Sequence, residues 1–196
     1  MKKHLILTSI LTIGAATLFA AGPHTYEIDP THSGVNFKVR HFFNKVPGKF
    51  GKFKGTVTFD PSGDPSVAQA NATIDTSSVD TSNSKRDDHL KQDDYFNVEK
   101  HDSIDFVSKK WEKVGDKKYK VTGDLTLLGK TKPVTLDVDY LGEMAGKGPY
   151  EGIMVAGWEG TTTIDRTDWG LTSGQPIVGD EVEIELSIQG HRPADK

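Results

Sequence analysis

In six stretches of this chain an apolar or aromatic residue stands at every second position, with polar residues between. Val35, Phe37 and Val39 alternate with Asn36, Lys38 and Arg40. Phe53, Val57 and Phe59 share one parity, as do Tyr119, Val121 and Leu125. Val134, Leu136, Val138 and Tyr140 form a fourth stripe, Trp158, Thr162 and Ile164 a fifth, and Val182, Ile184, Leu186 and Ile188 a sixth. A period of two belongs to strands with one apolar and one wet face. The pattern predicts an all-β fold, an extended antiparallel barrel of about eight strands with an apolar inside. A barrel of that size can hold one small ligand.

The ends and the composition narrow the class. Lys2, Lys3 and His4 precede an uncharged apolar run, Leu5 to Phe19, and then the small residues Ala20, Ala21 and Gly22. This is the layout of a secretory signal peptide, and the run is shorter than the roughly 20 residues of a spanning helix. Cleavage is expected after Ala20 or Ala21, giving residues 1–21 as signal and 22–196 as one domain. The chain has no Cys, so a lipoprotein anchor, disulfides and thiol chemistry are excluded. Export without disulfides points to a bacterial periplasm. Without Lys2 and Lys3 the mature part has 22 basic against 28 acidic residues, a net charge of −6. A mildly acidic domain suits neither nucleic acid nor anionic membrane surfaces as a partner, and no later segment is apolar enough to cross a membrane.

Strands are expected near 24–29, 33–42, 52–60, 67–75, 103–112, 117–127, 132–144, 150–164 and 181–190. Turn signals separate them, among them Pro47-Gly48, Pro61 to Pro65, Gly115-Asp116, Gly129-Lys130 and Gly146 to Pro149. Ser82 to Phe96 lacks alternation and is rich in charge. It predicts a short helix around 84–92, N-capped by Ser82 or Asn83, with Leu90 facing Tyr95 or Phe96. Asp165 to Thr172 predicts a helical turn.

The candidates for chemistry are sparse. His32, His41, His89 and His101 with Asp29, Asp87, Asp88, Asp93 and Asp94 lack the His-x-x-x-His spacing of a helical metal site. No Ser sits in a Gly-x-Ser-x-Gly turn. No catalytic, metal or cofactor residues are therefore expected. Arg86 and Arg166 are each flanked by acids, and ion pairs that fix the helix and the late turn to the barrel are the expectation, with binding of a ligand head group as the alternative. The inward stripes predict the lumen: Val35, Phe37, Val39, Phe53, Val57, Phe59, Phe106, Tyr119, Val121, Leu125, Leu136, Val138, Trp158, Ile184 and Leu186. The same stripes are compatible with a solid sandwich core. Small inward residues, Gly55, Ala70, Ala72, Gly123 and Gly160, favour a cavity.

Several motifs occur together in one order. They are Ile28-Asp29-Pro30-Thr31-His32-Ser33 running on to His41; Asp80-Thr81 with Arg86-Asp87-Asp88-His89-Leu90 and Asp94-Tyr95-Phe96; Gly123 to Thr126 with Gly129 to Val134; and Ile164-Asp165-Arg166-Thr167-Asp168-Trp169-Gly170-Leu171. Over essentially the whole mature chain the sequence resembles the YceI-like family of secreted lipid-binding proteins. Tyr95 and Trp169 stand where that family usually has Phe. The resemblance implies an extended lipocalin-like barrel whose elongated pore holds a polyisoprenoid, an isoprenoid quinone or another long amphiphile. It brings no catalytic residue set. The expected function is a periplasmic lipid carrier, with the lipid as ligand and a homodimer left open as a partner. The alternatives are an enzyme acting on a cavity-bound lipid and a stress-related interaction protein that uses the barrel as scaffold.

Overall fold

The computed structural model describes residues 22–62 and 64–195; residues 1–21, read above as a signal peptide, lie outside the described residues. Among the described residues eleven strands form one sheet: β1 His24–Ile28, β2 Gly34–His41, β3 Asn44–Phe50, β4 Phe53–Phe59, β5 Gln69–Asp75, β6 Val79–Asp80, β7 Ser103–Gly115, β8 Lys118–Leu127, β9 Lys130–Ala145, β10 Ile153–Asp165 and β11 Val178–Pro193. Neighbours run β1-β4-β5-β7-β8-β9-β10-β11, and β11 pairs back to β1, which closes a ring of eight antiparallel strands. Glu27 stands opposite His191 and Ile28 opposite Gly190 at the seam.

The remaining three strands lengthen the barrel rather than widen it. Further along β11, β2 takes over from β1, with Val35 opposite Leu186, Phe37 opposite Ile184 and Val39 opposite Val182. In the same way β3 continues the line of β4 and pairs with β2, and β6 continues β5 and pairs with β3. The breaks fall at residues 29–33, 51–52 and 76–78. Helix α1, Ser84–Leu90, follows β6, and Leu90, Tyr95 and Phe96 pack onto the core.

The helix begins at Asn83, whose side chain accepts the Arg86 amide at 3.1 Å. It ends at Leu90, one turn-end short of the sequence expectation. The late turn is a 3₁₀ helix, Arg166–Trp169. The chief correction is β3, because Pro47-Gly48 lies inside a strand. The two-residue hairpin loop makes His41–Asn44 a hydrogen-bonded pair, so by alternation Lys38–Pro47 is not one. The nitrogen of Pro47 therefore points away from β2, and β6 reaches only Lys49 and Phe50 on that side. An edge position of this kind tolerates proline. Gly48 lies under the Phe37 ring: a Cβ there would sit 2.3 Å from the ring's Cζ.

The inward faces carry the core. At the end where β1 begins, Tyr26, Phe59, Trp111, Tyr119, Tyr140 and Trp158 form a solid aromatic layer. The Phe59 ring centroid lies 4.7 Å from Tyr140, 5.5 Å from Tyr119, 5.8 Å from Trp111 and 5.9 Å from Trp158. Tilted and edge-on rings at such separations add to the gain from burial alone. Outer faces carry cross-strand pairs such as Lys118–Asp139 and Lys120–Asp137, which as exposed pairs contribute little.

Candidate functional site

Above the aromatic layer the barrel is hollow. The cavity measures ≈ 470 Å³ and its wall is almost wholly apolar. Trp111 and Trp158 form its floor, and the opposite end reaches Arg40, His41, Thr81, Arg86, His89 and Tyr95. The length added by β2, β3 and β6 is what gives the lumen its height, with Val35, Phe37, Val39 and Val46 as part of the wall.

Of the predicted lumen residues, Val35, Phe37, Val39, Phe53, Val57, Phe106, Val121, Leu125, Leu136, Val138, Trp158, Ile184 and Leu186 border this cavity. Phe59 and Tyr119 do not. They face inward but are 0% and 2% exposed within the aromatic layer. Parity places them correctly on the inner face, whereas depth along the axis depends on inter-strand register. Among the small residues, Ala70, Ala72 and Gly160 border the cavity. Gly123 leaves no room, because the Phe106 ring covers it, with Cζ 2.5 Å from where a Cβ would lie. At Gly55 a Cβ would fall 2.2 Å from the Asn71 carbonyl oxygen, so a close pass of β5 dictates glycine there.

Some lumen residues that the sequence reading missed lie on regular strands, Ile74 on β5 and Ile104 and Trp111 on β7, the last beyond a bulge that shifts the parity; the others come from irregular or overlooked segments. Phe50 and Val46 lie on β3, Leu90, Tyr95 and Phe96 on or after α1, and Leu171 after the 3₁₀ turn. The one available signal was local, namely apolar residues stranded in a charged stretch around Leu90, Tyr95 and Phe96.

The charged groups at the open end are tied into the frame. Arg86 Nε donates to Thr81 Oγ1 at 2.7 Å and its Nη2 to the Thr81 carbonyl at 2.8 Å. The Thr81 hydroxyl and amide donate to Asp87 Oδ1 at 2.5 and 2.8 Å. Arg86 thus bonds to threonine rather than to a carboxylate, against the expectation of an ion pair. On a helix Arg86 and Asp87 point in different directions, and Thr81 links them. Burial works against the Asp87 charge, but the Thr81 bonds outweigh it and hold the carboxyl below its ordinary range. Arg166, 4% exposed, donates to the carbonyls of Gly179, Leu171, Ser173 and Val178. Its contact with Asp180 is longer, at 3.4 Å. It secures the late turn to the start of β11 chiefly through main-chain oxygens.

The four candidate histidines are spread over separate places, although His191 joins His32 beside Asp29, at 3.7 Å. His89 Nε2 lies 3.0 Å from Asp94, and its ring meets Tyr95 edge-on. His32 Nδ1 lies 2.5 Å from Asp29, at the β1–β2 break. Burial opposes the Asp29 charge, but the His32 and Thr31 hydrogen bonds prevail and lower its pKa. Among the described residues no three His, Cys, Asp or Glu side chains converge in a way that could hold a metal ion.

A model of the YceI-like domain matches residues 26–190, nearly the entire barrel. The chain belongs to the YceI-like family. Protein YceI of Salmonella arizonae is 37% identical to this YceI-like chain over 195 residues, covering 97% of it and 98% of the relative. The crystal structure of Burkholderia cenocepacia BcnA superposes with a TM-score of 0.71 at 29% identity, over 83% of this chain and 98% of that one. A polyisoprenoid binding domain from Saccharophagus degradans, at 15% identity, shares the fold, with a TM-score of 0.64 over 87% of this chain and 98% of that one.

Proposed function

We propose that this YceI-like barrel is a periplasmic carrier that holds an isoprenoid, an isoprenoid quinone or a similar long-chain amphiphile in its lumen. One observation carries the reading. Inward apolar residues are fully buried at the level of the aromatic layer, whereas Phe37, Val39, Phe53, Leu125, Ile184 and Leu186, equally inward, are only half-buried. Their remaining surface faces the lumen. A sandwich with a solid core would bury both sets alike.

The chemistry of that lumen selects its occupant. Its volume lies within the about 300–1,000 Å³ usual for small-molecule sites. Its wall offers ordered water few partners, so water fills it poorly. An apolar chain entering it gains roughly 25 cal/mol per Å² of area removed from water. Such a wall discriminates weakly among tail chemistries. The open end, with His41, His89 and Tyr95, supplies the few polar groups that a head group requires. Binding rather than catalysis is favoured because Arg86, Asp87 and Arg166 are engaged in holding the frame. The polyisoprenoid named for the Saccharophagus degradans domain supports the same ligand class. The basic, apolar and small-residue order of residues 1–22 supports export.

The test is organic extraction of the purified protein with mass spectrometry, followed by incubation of the lipid-free chain with an isoprenoid quinone. Co-purified lipid and stoichiometric recovery of intact quinone are expected. A chain that neither contains lipid nor takes up quinone is not a carrier. Chemical conversion of the quinone would make it an enzyme.

A further inference from the structure

The β2–β3 hairpin ends in two aromatic residues that the core does not bury, Phe42 meeting only His41 edge-on at 5.0 Å among the rings of the described residues. Phe43 is 96% exposed and Phe42 is 54% exposed. Phe42 stands at φ 52, where tight hairpins ordinarily place Gly, Asn or Asp, so folding alone would select another residue. Ile177, 42% exposed, lies beside it and accepts the Phe42 amide at 2.9 Å. This apolar tip adjoins the mouth of the lumen: His41 and Val178, the chain neighbours of Phe42 and Ile177, both line the cavity.

The tip also belongs to the one long basic stretch of an acidic protein. Residues 30–59 contain six Lys and Arg and no Asp or Glu, in a chain of 24 basic and 28 acidic residues. Lys38 and Lys45 face Glu185 and Glu183 of β11. Arg40 instead donates to the carbonyls of Phe42 and Pro176, which leaves its positive charge at the tip. The net acidity opposes adsorption of the whole surface to an anionic membrane, and the acids of β11 offset the hairpin lysines; what this corner adds is an exposed apolar tip with Arg40 beside it, held by carbonyls and not by a carboxylate.

We propose that the Phe42–Phe43 tip docks the open end of the barrel on a lipid bilayer, so that an amphiphile passes between membrane and lumen without crossing water. The proposal rests on the carrier reading above and adds the surface at which cargo is exchanged. Phe side chains on an exposed tip bury as apolar anchors at the boundary between head groups and acyl chains. A cation beside them complements anionic head groups. Two aromatic anchors without a lipid tail give shallow, reversible attachment, which a carrier needs in order to leave again.

The experiment is flotation of the full chain with vesicles of phosphatidylethanolamine and phosphatidylglycerol. It compares the native sequence, the tip variant Phe42→Asn/Phe43→Ser, and a control, Leu141→Ser/Met144→Ser. Leu141 and Met144 are 55% and 59% exposed on β9, beyond the aromatic layer. The asparagine suits the positive φ, so the tip variant is expected to keep its melting temperature. The native chain and the control should float, and the tip variant should bind at least about tenfold more weakly, as follows from losing even one buried Phe. Equal flotation of all three, no flotation of the native chain, or tip-dependent self-association by light scattering without vesicle binding would overturn the proposal. Lipid content of the same samples separates the two readings. A chain that holds lipid but does not float refutes docking and leaves carriage standing. One that floats through its tip but holds no lipid keeps docking and refutes carriage.

Discussion

Replacing Gly160 with leucine should fill part of the lumen without harming the barrel. Gly160 lies on the inner face of β10, opposite Leu186 on one side and Val138 on the other. A Cβ added there meets Leu186 Cδ1 at 3.5 Å, Leu186 Cβ at 3.6 Å and Val138 Cγ2 at 3.7 Å, all ordinary contacts. The rest of a leucine side chain then extends into the cavity. Relieving a glycine inside a strand contributes about 0.5–1 kcal/mol, so Gly160→Leu should be as stable as the native chain or more so. The space it takes is lost to the ligand. A displaced apolar segment the size of a leucine side chain forgoes about 1.5–3 kcal/mol of burial, which weakens binding about 10- to 100-fold. Quinone titration against the fluorescence of Trp111 and Trp158, which line the cavity, reads the dissociation constant. Urea unfolding of the lipid-free chain reads the stability. Gly123→Leu is the contrast, since Phe106 Cζ at 2.5 Å and the Val107 carbonyl oxygen at 2.7 Å already occupy its space, and it should unfold the barrel. A stable Gly160→Leu protein with unchanged affinity would show that the ligand does not occupy this part of the lumen.

Phe59→Ala removes the hub of the aromatic layer and should cost about 3–5 kcal/mol, read as a lower urea midpoint with little change in slope. Arg166→Lys keeps the charge but cannot reach four carbonyls at once; leaving buried acceptors unpaired should cost at least about 1–3 kcal/mol, and hydrogen exchange should rise first at Leu171–Gly179. The Tyr26 and Tyr140 hydroxyls are pushed above their ordinary pKa, both chiefly by burial, with the bond from Tyr26 to Glu143 adding to its shift and Arg192 opposing it. The folded state therefore binds these protons more tightly than the unfolded one. Their contribution is complete below the unfolded value of about 10 and declines as pH rises beyond it. Thermal melting should fall steeply above that pH in the native chain and less steeply in Tyr140→Phe.

The alternation in β11 was sufficient to place Ile184 and Leu186 inward, because a strand with one buried face allows only one register parity. The helix was readable from Asn83 and the break in periodicity. What could not be read was anything set by neighbours distant in sequence. Pro47-Gly48 looks like a turn until β2 is known to put Phe37 over Gly48, and β6 is two residues long. Phe59 and Phe37 obey the same rule of alternation, yet one is in a packed layer and the other on a lumen wall. That difference arises from which residues of β7, β8, β9 and β10 stand level with each. The acids beside Arg86 suggested a salt bridge, but a helix turns consecutive side chains about 100° apart, and Thr81 took the guanidinium.

The two halves of the barrel are coupled by an energetic requirement. Side chains on the lumen wall forgo the packing contacts that a filled core would give them. A barrel hollow along its whole length would be hard to sustain. Here the aromatic layer concentrates large buried side chains at one end, with Tyr26 and Phe59 at 0% exposure. At the other end Arg166 and the Arg86–Thr81–Asp87 network fix the loops with hydrogen bonds instead of apolar packing. The middle is thereby free to stay unfilled. An amphiphile that enters it restores contacts the side chains do not make for themselves, so holding cargo and completing the core are the same physical event.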